Sequence, residues 1–205
     1  ARDLIGEAGG LVLGERYLPI GDTDVGRMVE EVRAVRPDFV LSNLIGASSY
    51  AFLKALRALG RADPGFGPGA CPVLSCNLTE CELPALGEAA EGLVSAGPYF
   101  RDGAEGGFGS SFEAAAHAAV RSLAARLARA GRADAGLDAL LALPDGGGLA
   151  IDRATHHARL PVIIAQVEGG AFRPRERWEG VAADPYLSRR DRFERPRPRI
   201  AAVGP

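Results

Sequence analysis

Long hydrophobic runs are absent from this chain of 205 residues. None approaches the ~20 consecutive apolar residues that a membrane-crossing helix needs, so insertion into a bilayer is not expected. No basic, apolar and small-residue succession at the start reads as a signal peptide. Methionine is nearly missing: Met28 is the only one, and the sequence begins Ala1-Arg2-Asp3. Leu4–Leu13 reads as the end of one helix followed by a strand, so the expectation is a chain lacking an N-terminal portion. Charge of one dominant sign is missing too. A net charge of −2 offers no global attraction to nucleic acid or an anionic surface.

Chemically reactive residues are equally sparse. The sequence has no G-x-S-x-G elbow, no H-E-x-x-H helix and no Walker loop. Its three cysteines, Cys71, Cys76 and Cys81, are spaced by five residues rather than in the close pairs that bind metal. They read as free thiols, and their odd number leans toward a reducing compartment. Of the three histidines, His117 falls in an alanine-rich helical stretch. His156 and His157 are adjacent, and on a strand they would point to opposite faces, a poor arrangement for one metal ion. No cofactor is implied. The Asp22/Asp24 and Glu80/Glu82 pairs each stand where a helix begins, so capping and the helix dipole explain them better than acid–base chemistry. The arginine- and proline-rich tail has no stacking platform beyond Phe193 and reads as a solvated segment rather than a nucleic-acid arm.

What the sequence does have is 47% hydrophobic residues, enough for a real core, and a strand-turn-helix unit that occurs twice. In Asp38–Leu56, Phe39-Val40-Leu41 leads through Ser42, Asn43, Gly46, Ser48 and Ser49 into an amphipathic helix. In Cys71–Leu86, Pro72-Val73-Leu74 leads through Ser75, Cys76, Asn77 and Thr79 into a helix around Glu80–Leu83. Between and around them, Leu11–Leu18 suits a strand, Val25, Met28, Val29, Val32 and Val35 form a helical stripe, and Gly92–Ala96 reads as a further strand. This alternation predicts an α/β fold with a parallel sheet flanked by helices. Gly60–Ala70 reads as a surface loop. Phe112–Ala130 is the strongest helix signal, Ala135–Leu143 a shorter one, and Pro161–Glu168 with Gly169-Gly170 and Ala171-Phe172 a later β-hairpin. In an open α/β sheet, ligands bind at the carboxyl ends of the strands. Ser42, Asn43, Gly46, Ser48, Ser75, Cys76, Asn77 and Tyr99 therefore form the candidate rim, neutral and polar, suited to an amide, a urea or a small amino acid.

Several of these segments together carry a resemblance. Gly14-Glu15-Arg16-Tyr17-Leu18-Pro19, with Asp24 following, is similar to a G-E-x-Y-x-P segment of the type I periplasmic-binding-protein fold. Pro72–Ser75 with Thr79–Leu83, Gly97–Phe100, His156–Leu160 and Asp184-Pro185-Tyr186 follow in the same order. The branch resembled contains the amide-sensing negative regulator of the amidase operon and urea- or amide-binding components of ABC transporters. The resemblance implies two lobes that close on a ligand, with residues 1–100 as the second-lobe core and 101–148 returning to the first lobe. Residues 149–187 would rejoin the second lobe, and 188–205 would be the basic tail. The short glycine-rich stretch Arg101–Ser111 departs from the family, which carries another helix there. The partners it implies are a small-molecule ligand and either a permease or a transcription antiterminator protein, without direct contact to nucleic acid, and a homodimer stays open. A transport component would be periplasmic and a sensor cytoplasmic. The contrasting reading, an amide-hydrolysing enzyme with Cys76 as nucleophile, lacks a neighbouring histidine or lysine to activate the thiol.

Overall fold

A computed structural model of the chain describes residues 1–101, 107–144 and 149–183. The expected basic tail and the Asp184-Pro185-Tyr186 segment lie outside the described residues. Five strands form one mixed sheet in the order β1-β2-β3-β4-β5. Three are short and parallel: β1 (Val40–Ser42), β2 (Val73–Ser75) and β3 (Val94–Gly97). The other two, β4 (Leu160–Glu168) and β5 (Ala171–Val181), add antiparallel to the β3 side. The parallel part follows the strand-helix alternation read from the sequence, with strand limits shifted by one or two residues.

Two apolar clusters hold the helices to the sheet. In the first, α2 (Gly26–Val35) lays Met28, Val29 and Val32 against Val25, Phe52 and Leu56, the last two belonging to α3 (Gly46–Ala62). In the second, Leu53 of α3 meets Leu86, Ala90, Leu93, Phe100, Ile163, Val167 and Phe172. The rings of Phe100 and Phe172 stand 4.6 Å apart, centre to centre. The hairpin turn is made by Gly169 (φ +60°) and Gly170 (φ +75°), the left-handed pair that a two-residue turn demands. Glu91 accepts hydrogen bonds from both glycine N–H groups, at 3.2 and 3.5 Å, and so pins the turn to the start of β3.

Away from the sheet, α5 (Ser111–Ala130) is capped at its start by Ser110, whose Oγ accepts from the Glu113 N–H at 3.2 Å. It ends at Gly131 in the left-handed region. It packs on α6 (Leu137–Ala142) through Arg126, a buried arginine whose Nη1 donates to the carbonyls of Leu140 (2.8 Å) and Leu143 (2.6 Å). A cation on the last carbonyls of a helix is favoured by the helix dipole. Phe112, Val120 and Leu123 of α5 are exposed.

Several expectations are corrected. Leu11–Leu18 forms no strand, because Leu11, Leu13 and Tyr17 find no surface and stand exposed; only Leu18 reaches the α2–α3 cluster. The preceding α1 (Arg2–Glu7) buries none of its residues. The expected loop at Gly60–Ala70 is helical as far as Ala62. Gly60 is required there, because a Cβ would come within 2.8 Å of the Phe66 carbonyl oxygen as the chain folds back. The helix expected around Glu80 begins only at Leu83, as α4 (Leu83–Leu86), with Pro84 in its first turn. Neither Asp22 nor Asp24 caps α2. Asp22 Oδ1 instead accepts from the Asp24 N–H at 2.9 Å, while Val25 takes the cap position. The hairpin's second strand runs on to Val181, well past Phe172.

Candidate ligand site at the strand ends

The carboxyl ends of β1, β2 and β3 lie side by side, and the register is explicit: Ser42 pairs with Ser75, and Ser75 with Ser95. Paired residues of neighbouring strands project to the same face, so the three serines form one row, all buried. Ser95 was not among the residues singled out from the sequence; its in-register position beside Ser75 becomes visible only once the strands are paired. Its hydroxyl donates to the Leu78 carbonyl at 2.7 Å, holding the turn after β2. The Ser75 hydroxyl accepts from the Asn77 N–H at 3.1 Å. Ser42 Oγ is buried and has no hydrogen-bond partner among the described residues.

Above the row, Asn77 reaches across the rim, its Nδ2 donating to the Asn43 carbonyl at 3.0 Å. Both asparagines are exposed, as are Gly46 and Cys76. Ser48 is buried in the first turn of α3, where its hydroxyl donates to the Pro19 carbonyl (3.3 Å) and accepts from the Gly21 N–H (3.0 Å). It thus ties the G-E-x-Y-x-P segment to the rim. Tyr99, following β3, donates its hydroxyl to the Phe108 carbonyl at 2.7 Å, and the two rings meet edge-on. Phe108 in turn stacks at 4.8 Å on His117 of α5. Sequence reading missed this grouping, since Phe108 stands alone in a glycine-rich stretch.

Glu82 ties down Thr79 from one side: its Oε2 accepts from the Thr79 N–H (2.7 Å) and from the Thr79 hydroxyl (2.8 Å). Glu80 Oε1 accepts from the Arg101 N–H at 2.6 Å. His156 and His157 lie in the turn before β4, not on a strand, and the described residues hold no cluster of three metal-ligating side chains. No helix among the described residues is long and apolar enough to cross a membrane.

The thiols differ sharply. Cys71 is buried, and burial, with a smaller effect from Asp38, pushes its pKa up; Cys76 and Cys81 are exposed. Since the thiolate is the nucleophile, iodoacetamide at neutral pH should modify Cys76 and Cys81 first. Peptide mass spectrometry showing Cys71 modified as fast as the other two would contradict this placement.

A family model described as "Periplasmic binding protein domain" matches residues 1–106, which include β1, β2, β3 and the whole rim. The chain belongs to the periplasmic binding protein domain family. Solved binding proteins share its architecture. An ABC-transporter solute-binding protein from R. palustris, crystallised with benzoate, superposes with a TM-score of 0.72 at 17% identity, covering 90% of this chain and 55% of its own. A branched-chain amino acid ABC transporter protein from Thermus thermophilus, with bound valine, gives 0.68 at 17% identity, covering 94% and 58%. One from Rhodospirillum rubrum gives 0.60 at 23% identity, covering 85% and 55%. This periplasmic-binding-protein chain therefore spans a little over half the length of the solved structures it matches.

Proposed function

We propose that this chain supplies one wall of a solute-binding site and works by closure on its ligand rather than by catalysis. The ligand wall is the rim of Ser42, Asn43, Gly46, Ser48, Ser75, Cys76, Asn77 and Tyr99, and the solute a small polar molecule of the amide, urea or amino-acid type. The observation that carries this reading is the alignment of three parallel strand ends at one edge, with the exposed Asn77 bridging to Asn43. Neutral donors and acceptors gathered there suit a compact polar solute, and a ligand touching this wall and an opposing one would shift the population toward the closed state. Membership in the binding-protein family supports the role of a transport-type receptor. The branch resemblance adds an amide-sensing role as the variant to be separated from it, with a permease or an antiterminator as the respective partner. The enzyme reading gains nothing, since Cys76 makes no hydrogen bond to a histidine or lysine among the described residues.

The test is ligand titration followed by NMR, with Asn77→Ala compared to the unaltered chain. Losing the side chain that spans the rim should weaken binding about tenfold, the order of one hydrogen bond in a closed site. The fold should persist, because Asn77 is exposed. Unchanged affinity for every ligand bound would remove Asn77 from the site.

A further inference from the structure

Tyr99 stands at the rim, yet its hydroxyl is already committed to the Phe108 carbonyl at 2.7 Å, and the two rings meet edge-on at 6.2 Å. What it offers a solute is its ring, and the place of that ring depends on Phe108. Phe108 is itself held from the far side. Its ring lies 4.8 Å from that of His117 on α5, tilted by 44°. The next residues are fastened to the same helix: Glu113 Oε2 accepts from the Gly109 N–H at 2.8 Å, and Ser110 caps the first turn. α5 contributes no residue to either apolar cluster. Residues 108–110 are thus a short joint between the rim and a helix that the core does not hold.

The joint contains a side chain of the type whose charge changes near neutral pH. Histidine does so between about pH 5 and 8, and His117 is exposed, so protons reach it. An imidazolium over an aromatic ring is attracted to the negative ring face in a way that a neutral imidazole is not. The charged groups beside it are Glu113 and Arg121, one turn before and one turn after on α5, of opposite sign. Arg101 follows Phe100 on the rim side, and residues 107–110 carry no charge. Glu113 and Arg121 keep their helical spacing from His117 whether or not the rings are stacked, so they favour neither arrangement. The ring contact is what differs. The stacked arrangement therefore binds the proton more tightly, and its share rises as pH falls through the histidine range. The rim itself contains no histidine, aspartate or glutamate.

We propose that His117 is a positioning residue for the solute site, acting through Phe108 to hold Tyr99, and that its protonation tightens the joint. Binding at the rim is then stronger below the histidine range of pH than above it. This rests on the rim being the solute site, and it adds a control that the three strand ends do not contain.

Acetamide, urea and valine keep their charge state between about pH 5.5 and about pH 7.5 and serve as probes across the histidine range. They are titrated into the chain of 205 residues and followed by NMR. Whichever of them binds should do so about threefold more tightly at the acid end, the fold-change that one exposed cation–ring contact supplies. In the free protein, the ring resonances of Tyr99 and Phe108 should shift along the same titration. His117→Gln should fix the weaker affinity at both ends of the range, and His117→Arg, charged throughout, the tighter one. A merely structural role for His117 would not order these two variants by charge. Equal affinity across the range, or a pH dependence that survives His117→Gln, would overturn the inference while leaving the rim as the site. Rings that titrate in a protein that binds none of the probes would overturn the rim assignment, and the control of binding with it.

Discussion

Phe172→Ala is expected to cost about 3–5 kcal/mol of stability, the usual range for deleting a fully buried aromatic ring. Phe172 is 1% exposed and stacks on Phe100. Its ring also belongs to the cluster that joins β4 and β5 to Leu53 of α3 and to Leu86 and Leu93. The substitution therefore opens a cavity where the antiparallel strands meet the parallel ones. Set against the roughly 5–15 kcal/mol that a folded domain holds in total, the loss is large enough to leave the chain substantially unfolded at modest urea concentrations. Urea titration monitored by circular dichroism measures it. Phe172→Leu, which keeps most of the volume, should cost visibly less. A loss below about 1 kcal/mol for the alanine variant would mean that the cluster does not hold the sheet together as described.

The second large effect is expected at Arg126. Its guanidinium is buried, and it closes the α5–α6 pair by donating to the carbonyls of Leu140 and Leu143. Arg126→Ala removes the guanidinium from both carbonyls; that of Leu140 keeps the Leu143 N–H at 3.2 Å, while that of Leu143 loses its donor, at a cost of about 1–3 kcal/mol for a group left unpaired. The loss should be local. Amide hydrogen exchange in Leu137–Ala142 should accelerate strongly while exchange in β3 and β4 stays slow. Arg129, exposed in the last turn of α5, is the control, and its replacement by alanine should change little. Unchanged protection of α6 in the Arg126→Ala protein would show that the two helices are held by other contacts.

Much of this architecture is legible in the sequence, for physical reasons that also explain the misses. The short runs at Val40, Val73 and Val94 are bracketed by turn residues and followed by helical periodicity, so their parallel order follows from local signals. Leu11–Leu18 carries the same local alternation, yet the outcome depends on whether a surface exists to bury it, which no local pattern states. Strand β5 fails in the opposite direction. The sequence reading names only Ala171-Phe172 for this strand, because Arg173-Pro174-Arg175-Glu176-Arg177 carries no apolar alternation, but pairing with β4 extends it, with an irregular register between Ile164 and Ala165. At the rim, the serines and asparagines were visible as residue types, whereas their division of labour was not. Which hydroxyl holds a turn and which is left over depends on cross-strand register and on the fit of α3. Arg126 escaped notice for a related reason: an arginine in an alanine-rich helix reads as exposed until α6 is seen to cover it.

The pinned turn at Gly169-Gly170 has a consequence for how the chain acquires its fold. β4 and β5 are contiguous and joined by a two-residue turn, so they can form early, at the speed of local hairpins. Joining them to β3 requires closing the excursion through α5 and α6, an entropic step that local contacts do not repay. Glu91 reaches from the start of β3 to the hairpin tip, which makes it a natural first point of capture between two pieces that arise separately. On this view the sheet is assembled by docking a finished hairpin onto a parallel half, and the order of events is written in the connectivity of its middle strand.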